Sequence, residues 1–209
     1  ASAGRFHHAN SHIHRFFNMF GGYVSHRGTY SYAAAEAIAP HIVGRFKTEI
    51  LDYHTDWTAL AESCELLVMF GGMPVKNAQV TSGGVGRHTC YHALKACADN
   101  GCKMVYLSPI KIDLPPDLEG EWIAPRPGSD VALMLALAYV LIDEDKVSTD
   151  FLDSHTVGYD KFRAYVTGEN DGIAKTPEWA AAITGVEAAT IADLARRMAT
   201  SRTMINMTW

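Results

Sequence analysis

"CELLVMFGG", residues 64–72, is a short unbroken apolar run that ends in two glycines. A strand with one wet face alternates apolar and polar residues, whereas a strand buried on both faces does not. The run therefore predicts an interior strand of a parallel sheet. "KMVYLSP" (103–109) repeats the pattern, and "EWIAP" (121–125) gives a third, shorter strand. Between the first two lies "VGRHTCYHALKACADNG" (85–101), which reads as a helix stopped by Gly101. After the third comes the apolar helix "SDVALMLALAYVLI" (129–142). This order implies right-handed crossovers and an α/β fold, a parallel Rossmann-like sheet flanked by helices.

Outward from this centre the rhythm changes. The last third reads as mostly helical. In "KTPEWAAAITG", Thr176 suits an N-cap, Pro177 the first helical position and Gly185 the stop. In "VEAATIADLARRMAT", Ile191, Leu194, Ala195 and Met198 stand at i, i+3, i+4 and i+7, a core-facing stripe. "TMINMTW" then reads as a further strand, placed in the same sheet. Residues up to about 60 show helical signals broken by glycine and proline, as in "RFHHANSHIHRFFNMFGG" and "YSYAAAEAIAPHIVG". The expected organisation is an N-terminal helical piece of an adjoining domain over 1–60 and an incomplete α/β nucleotide-binding domain over 61–209.

The chain has 209 residues, 48% of them hydrophobic and 20% charged, enough for one domain with a real core plus part of a neighbour. No apolar stretch reaches the roughly 18 residues that span a bilayer. The formal charge of −5, without a basic run, argues against a nucleic-acid or anionic-membrane surface. The four cysteines Cys64, Cys90, Cys97 and Cys102 form no CxxC pair and neither demand disulfides nor exclude an oxidising compartment. Both ends look cut, which suggests a piece of a longer chain.

In an open parallel sheet, ligands lie beyond the carboxyl ends of the strands. Three loops fall there: "GGMPVKN" with Lys76, "SPIKID" with Ser108, and "PRPGSD" with Gly128, Ser129 and Asp130. Together they offer a cation for phosphate and a carboxylate for ribose hydroxyls or for the N–H donors of guanine. Each has a plainer reading: Asp130 or Ser129 as a helix cap, Lys76 as a solvated surface lysine. "SGGVG" (82–86) lacks the Walker lysine and does not fit G-x-G-x-x-G, so it is a weak phosphate motif.

Other chemistries find less support. His8 and His12 are four apart and could share a metal from one helical face, but no acidic residue precedes Glu36 and no HExxH pattern exists. Surface or partly buried histidines are the better reading. No serine sits in a G-x-S-x-G elbow, which disfavours a hydrolase triad. Ser31 is followed at i+3 by Ala34, so it lacks the acidic half of a capping box. From local sequence alone, Ser31 reads as a simple N-cap.

The blocks "GGYVSHRGTYS", "GGMPVKNAQ", "SPIKID", "PRPGSDVALMLALAYVLI" and "GENDGIAKTPEWAAAITGV" resemble, in order and spacing, successive blocks of the molybdopterin S- and N-oxide reductases. These are the dimethyl sulfoxide, trimethylamine N-oxide and biotin sulfoxide reductases. The resemblance covers almost the whole chain, and members of that family are several times longer. It implies molybdenum held by bis(molybdopterin guanine dinucleotide), with the serine of "GTYS", Ser31, as protein ligand to the metal. A hard, high-valent ion suits an alkoxide. It further implies cofactor contacts at Lys76, Asn77, Leu107, Ser108, Gly128, Ser129, Asp130 and Trp209, and less securely at Ser2. Asp130 would meet guanine. Ser108 departs from the family's Asn or Asp, so a weaker hydrogen bond is expected, and Thr208 departs from the usual glycine before the tryptophan. The family's active-site tyrosine and tryptophan have no counterpart in this chain.

The implied function is oxygen-atom removal from a small S-oxide or N-oxide in the bacterial periplasm. Electrons would come from a cytochrome or an iron–sulfur subunit, with no nucleic-acid partner and no direct membrane insertion. Two rival readings stand beside it. One is another serine-ligated molybdopterin enzyme, a transhydroxylase or an oxyanion reductase. The other is a nucleotide-binding piece that does not catalyse on its own.

Overall fold

The computed structural model describes residues 9–25, 28, 32–45, 55–75 and 88–207. They fall into two compact units. One comprises Ala1–Asp56, Lys76–Cys90 and Trp209, the other Trp57–Val75 and Tyr91–Thr208.

The first unit contributes two described helices, α1 (Ala9–Met19) and α2 (Ala33–Val43). On and just after α1, Phe16 stacks on Phe20 with ring centroids 5.3 Å apart, and His14 lies 5.2 Å from Tyr23. Helix α2 runs through Pro40 and closes at Gly44 in the left-handed conformation. Its cap position belongs to Tyr32, with no side-chain cap bond. That corrects the plain reading of Ser31 as the N-cap; Ser31 itself lies outside the described residues.

The second unit holds the sheet. Its elements are α3 (Trp57–Ser63), β1 (Leu66–Phe70), α4 (Cys90–Asp99), β2 (Lys103–Leu107), a 3-10 turn (Lys111–Asp113), β3 (Glu121–Ile123), α5 (Asp130–Asp143), α6 (Thr149–His155), α7 (Tyr159–Val166), α8 (Pro177–Thr184), α9 (Ala188–Thr200) and β4 (Thr203–Met207). The strands lie in the order β3-β2-β1-β4 and all pairs are parallel. Leu66 faces Lys103 on one side and Thr203 on the other. Every residue of β1 is buried, as its unbroken apolar run requires.

Strand alternation divides the core between two faces. Leu66, Val68, Phe70, Val105, Leu107 and Ile123 pack with Leu133, Ala136, Leu137 and Val140 of α5, Ala180 of α8, and Ile191, Leu194 and Ala195 of α9. Leu67, Met69, Met104 and Tyr106 alternate to the opposite face, and α4 buries Leu94 and Cys97. Topology explains the division. The chain steps from β1 to β2 to β3 in one direction, then returns to place β4 on the far side of β1. Right-handed crossovers in opposite directions put their helices on opposite faces.

The helix signals read from sequence are satisfied by named bonds. Thr176 Oγ1 accepts the amide of Trp179 at 3.2 Å, Pro177 opens α8, and Gly185 closes it with φ +75°. Ile191, Leu194 and Ala195 of the α9 stripe are buried, and Met198 packs against that core. Between α7 and α8 the "GENDGIAK" loop folds back on itself. The Gly172 amide donates to Gly168 O at 2.8 Å, and the Lys175 amide to Val166 O at 2.9 Å. Lys175 is only 2% exposed. Its ammonium donates to Asp171 at 2.7 Å and to the Ile173 carbonyl, and lies 4.4 Å from the centre of the Tyr165 ring. A buried ammonium is tolerated because carboxylate, carbonyl and ring face replace its water.

Candidate functional site at the carboxyl end of the sheet

The reversal of strand order lies between β1 and β4, whose last residues Phe70 and Met207 are register partners. Open α/β sheets leave a crevice at such a reversal, because loops depart from the two strands towards opposite faces. The loops after β1, β2 and β3 converge at this end of the second unit.

The β1 and β2 loops are tied at several points. Gly71 donates its amide to Leu107 O at 2.8 Å, and Met73 donates to the main-chain oxygen of Asp113 at 2.7 Å. Gly72 has φ +69°, and a β-carbon there would sit 2.6 Å from Asp113 O. Only glycine allows this approach. Ser108 is 1% exposed and Asp113 8%. The Ser108 hydroxyl donates to Asp113 Oδ2 at 2.6 Å and accepts the Ile110 amide at 3.1 Å. The Trp122 indole N–H donates to Ser108 O at 2.8 Å, while Tyr106 donates its hydroxyl to Lys111 O at 3.0 Å. The Ser108 amide reaches Ile123 O at 3.1 Å, which joins β3 to the same cluster.

After β3 the chain turns through Arg126–Ser129 into α5. The Ser129 hydroxyl donates to Arg126 O at 2.6 Å, so Ser129 holds the N-cap position without a side-chain cap bond. At Gly128, φ is +76° and no atom lies within 4 Å of where a β-carbon would stand, which leaves the main chain open to a close ligand. Asp130 is the first residue of α5, at the end of the helix where the dipole favours an anion.

Of the residues singled out from sequence, Leu107, Ser108, Gly128, Ser129 and Asp130 stand together at this end. Ser2, Ser31, Lys76, Asn77 and Trp209 lie outside the described residues; Lys76 follows directly on Val75, the last described residue of the β1 loop. The hydroxyls of Ser108 and Ser129 both bond within the protein. Sequence reasoning passed over Asp113, Gly72 and Trp122. The available signal was an acid in the same short loop as a buried serine. Among the described residues no group of three or more His, Cys, Asp or Glu could hold a metal ion. Among them, too, no helix is long and apolar enough to cross a membrane.

A parallel four-stranded sheet flanked by helices makes this an α/β domain, and open sheets of this kind take ligands at the carboxyl ends of their strands. Comparison with known proteins narrows this. No family model matches the chain. It is 37% identical over 208 residues to the dimethyl sulfoxide/trimethylamine N-oxide reductase of Rhodobacter capsulatus, covering 100% of this chain and 25% of that protein. It is 38% identical over 208 residues to the biotin sulfoxide reductase of Cereibacter sphaeroides, covering 100% and 28% respectively. The trimethylamine-N-oxide reductase of Haemophilus influenzae is 35% identical over the same length, again with 25% of that protein covered. Its homologues along the whole chain are thus dimethyl sulfoxide, trimethylamine N-oxide and biotin sulfoxide reductases, and it spans about a quarter of the length of these relatives. Among solved structures, acetylene hydratase from Pelobacter acetylenicus shares the fold. The TM-score is 0.54 at 23% identity, over 71% of this chain and 18% of that one.

Proposed function

We propose that this chain is part of the catalytic polypeptide of a molybdenum S- or N-oxide reductase and supplies part of the cradle for one guanine dinucleotide. The observation that carries the proposal is sequence identity of 35–38% along the whole chain to reductases of that kind. The residues present fit the group. An open main chain at Gly128 suits close approach, and the acceptor-only carboxylate of Asp130 suits the paired N–H donors of guanine. Lys76 and Asn77, immediately beyond the β1 loop, would meet the diphosphate as a point cation and an amide donor. Leu107 and Ser108 would line the site, with their carbonyls already accepting from Gly71 and Trp122 and the Ser108 hydroxyl bonded to Asp113. Trp209, two residues beyond the end of β4 in sequence, would contact the cofactor, and Ser2 would add a further contact.

When bound, molybdenum held by bis(molybdopterin guanine dinucleotide) supplies the two-electron exchange that takes an oxygen atom from the substrate. Ser31, deprotonated by the cation's field, would hold the metal, and the remaining residues fix and desolvate the cofactor. Residues 1–60 would then belong to a metal-proximal domain, and 61–209 to the nucleotide domain. A periplasmic site and an electron-donating cytochrome or iron–sulfur subunit complete the proposal. The test uses the full-length polypeptide. Ser31→Ala should abolish turnover of dimethyl sulfoxide and trimethylamine N-oxide with a reduced viologen donor, while guanine nucleotide stays bound. Unchanged turnover and metal content in that variant would remove Ser31 from the site.

A further inference from the structure

We infer that Asp113 and Ser108 form a positioning pair that locks the β1 and β2 loops together, so that these loops keep one fixed shape beside the proposed nucleotide site. The inference rests on the proposed nucleotide site. It goes beyond it in giving a role to Asp113, to which the sequence reading assigned none, and to the interior rather than the ligand-facing use of Ser108.

The geometry carries it in three steps. First, the Ser108 hydroxyl has no free hand. It donates to Asp113 Oδ2 at 2.6 Å and accepts from the Ile110 amide at 3.1 Å, in a residue 1% exposed. An Asn or Asp at this position could turn a side-chain group towards a ligand, but this serine is directed inward. Second, the same Asp113 reaches the neighbouring loop through its main chain. Its carbonyl accepts the Met73 amide at 2.7 Å, and the Gly72 backbone lies so close that a β-carbon would meet that carbonyl at 2.6 Å. One residue thus closes both contacts, with its side chain on the β2 loop and its carbonyl on the β1 loop. Third, the frame around the pair is bonded from outside. Trp122 holds Ser108 O, Tyr106 holds Lys111 O, and Gly71 holds Leu107 O. The pair is the only described side-chain to side-chain link within the β2 loop. Loss of the Ser108–Asp113 bond should free the 3-10 turn, and with it the seat of Met73.

The test uses the full-length polypeptide with Ser108→Ala, Asp113→Ala and Asp113→Asn. Two quantities are measured: amide hydrogen exchange at Ile110 and Met73, and guanine nucleotide retained per chain after prolonged dialysis. A typical intramolecular hydrogen bond corresponds to about a tenfold change in an equilibrium. Ser108→Ala and Asp113→Ala should therefore each speed exchange about tenfold at both amides, although the Met73 amide bonds to the main chain of Asp113 and not to an altered side chain. Both should lose nucleotide faster than wild type while melting cooperatively. Asp113→Asn keeps an acceptor for the serine hydroxyl and should stay within about twofold of wild type in both measurements. Exchange that quickens at Ile110 but not at Met73 would overturn the coupling. An Asp113→Asn variant as poor as Asp113→Ala in retention would overturn the positioning role, because it would mean that the charge itself meets the ligand. If wild-type protein carries no guanine nucleotide, the proposed function fails, and the exchange measurement still decides the inference.

Discussion

Gly168→Ala should be among the most damaging single-methyl additions in this chain. Gly168 has φ +84°, a region that costs an L-residue roughly 1–2 kcal/mol. An added β-carbon would also lie 2.5 Å from the Ala174 amide nitrogen and 2.7 Å from the Ile173 carbonyl carbon. These are main-chain atoms that no rotamer change can move, so overpacking adds about 1–3 kcal/mol. Relief by shifting residues 173–175 would stretch the bond from the Lys175 amide to Val166 O, worth about 1 kcal/mol. The expected loss is about 3–6 kcal/mol. Gly172 provides the internal control: its φ is +74°, but nothing lies within 4 Å of its β-carbon position, so Gly172→Ala should cost only about 1–2 kcal/mol. Urea unfolding followed by tryptophan fluorescence reads both variants, with Trp179 at the start of the adjacent helix. At slopes of about 1–3 kcal/mol/M the Gly168→Ala midpoint should fall by about 1 M or more. The reasoning fails if the two variants are destabilised equally at unchanged slope, since backbone overlap would then contribute nothing.

Four further outcomes are expected. Thr176→Ala removes the acceptor for the Trp179 amide and should cost about 1 kcal/mol in the same assay, with Thr176→Ser close to wild type. Leu194→Ala empties a site on α9 that is 1% exposed and should cost about 2–5 kcal/mol. Asp171 is held below the ordinary carboxylate range, chiefly by the hydrogen bond from Lys175 and then by the Ile173 amide. Its stabilisation is present above the unfolded value of about 3.9 and fades as pH falls through the lower folded value. Asp171→Asn should accordingly flatten the acid limb of a stability-against-pH curve below about pH 4. Burial, followed by the nearby Cys64 thiol, pushes the Cys102 thiol up to about 12. Native protein at pH 8 should leave Cys102 unmodified by a thiol reagent until denaturant is added, and stability should fall as pH rises past about 8.5, where only the unfolded thiol ionises.

The sheet was legible because buried parallel strands announce themselves. The runs at 64–72, 103–109 and 121–125 contain β1, β2 and β3, and the glycine and proline punctuation around α8 marks the bonds that close it. Parallel connectivity followed from the alternation of strands and helices. What remained hidden was the order of the strands, because nothing local in "TMINM" says that it lies beside β1 rather than β3. The site was legible only as a set of loops. Gly128 and Asp130 lie in the turn and at the helix start after β3, whereas Ser108 and Ser129 turn their hydroxyls inward to Asp113 and to Arg126 O. Side-chain direction in a loop depends on tertiary partners, here a carboxylate delivered by a 3-10 turn. Lys175 shows the same limit: a lysine reads as surface until Tyr165, Asp171 and the Ile173 carbonyl are seen around it.

The placing of β4 has a consequence for how this molecule comes into being. Glu65, beside β1, accepts the amide of Arg202, beside β4, across 137 residues of sequence. During synthesis, β1 and β2 can pair early, but the other edge of β1 has no partner until the chain has been made through β4. That edge belongs to Leu66–Phe70, an apolar, uncharged run of the kind that recruits foreign strands. Folding dominated by so distant a pairing is slow, and the interval exposes the most aggregation-prone segment of the sheet. A nascent chain halted before Thr203 should therefore be a strong client for chaperones, even though every other strand of the sheet is already present.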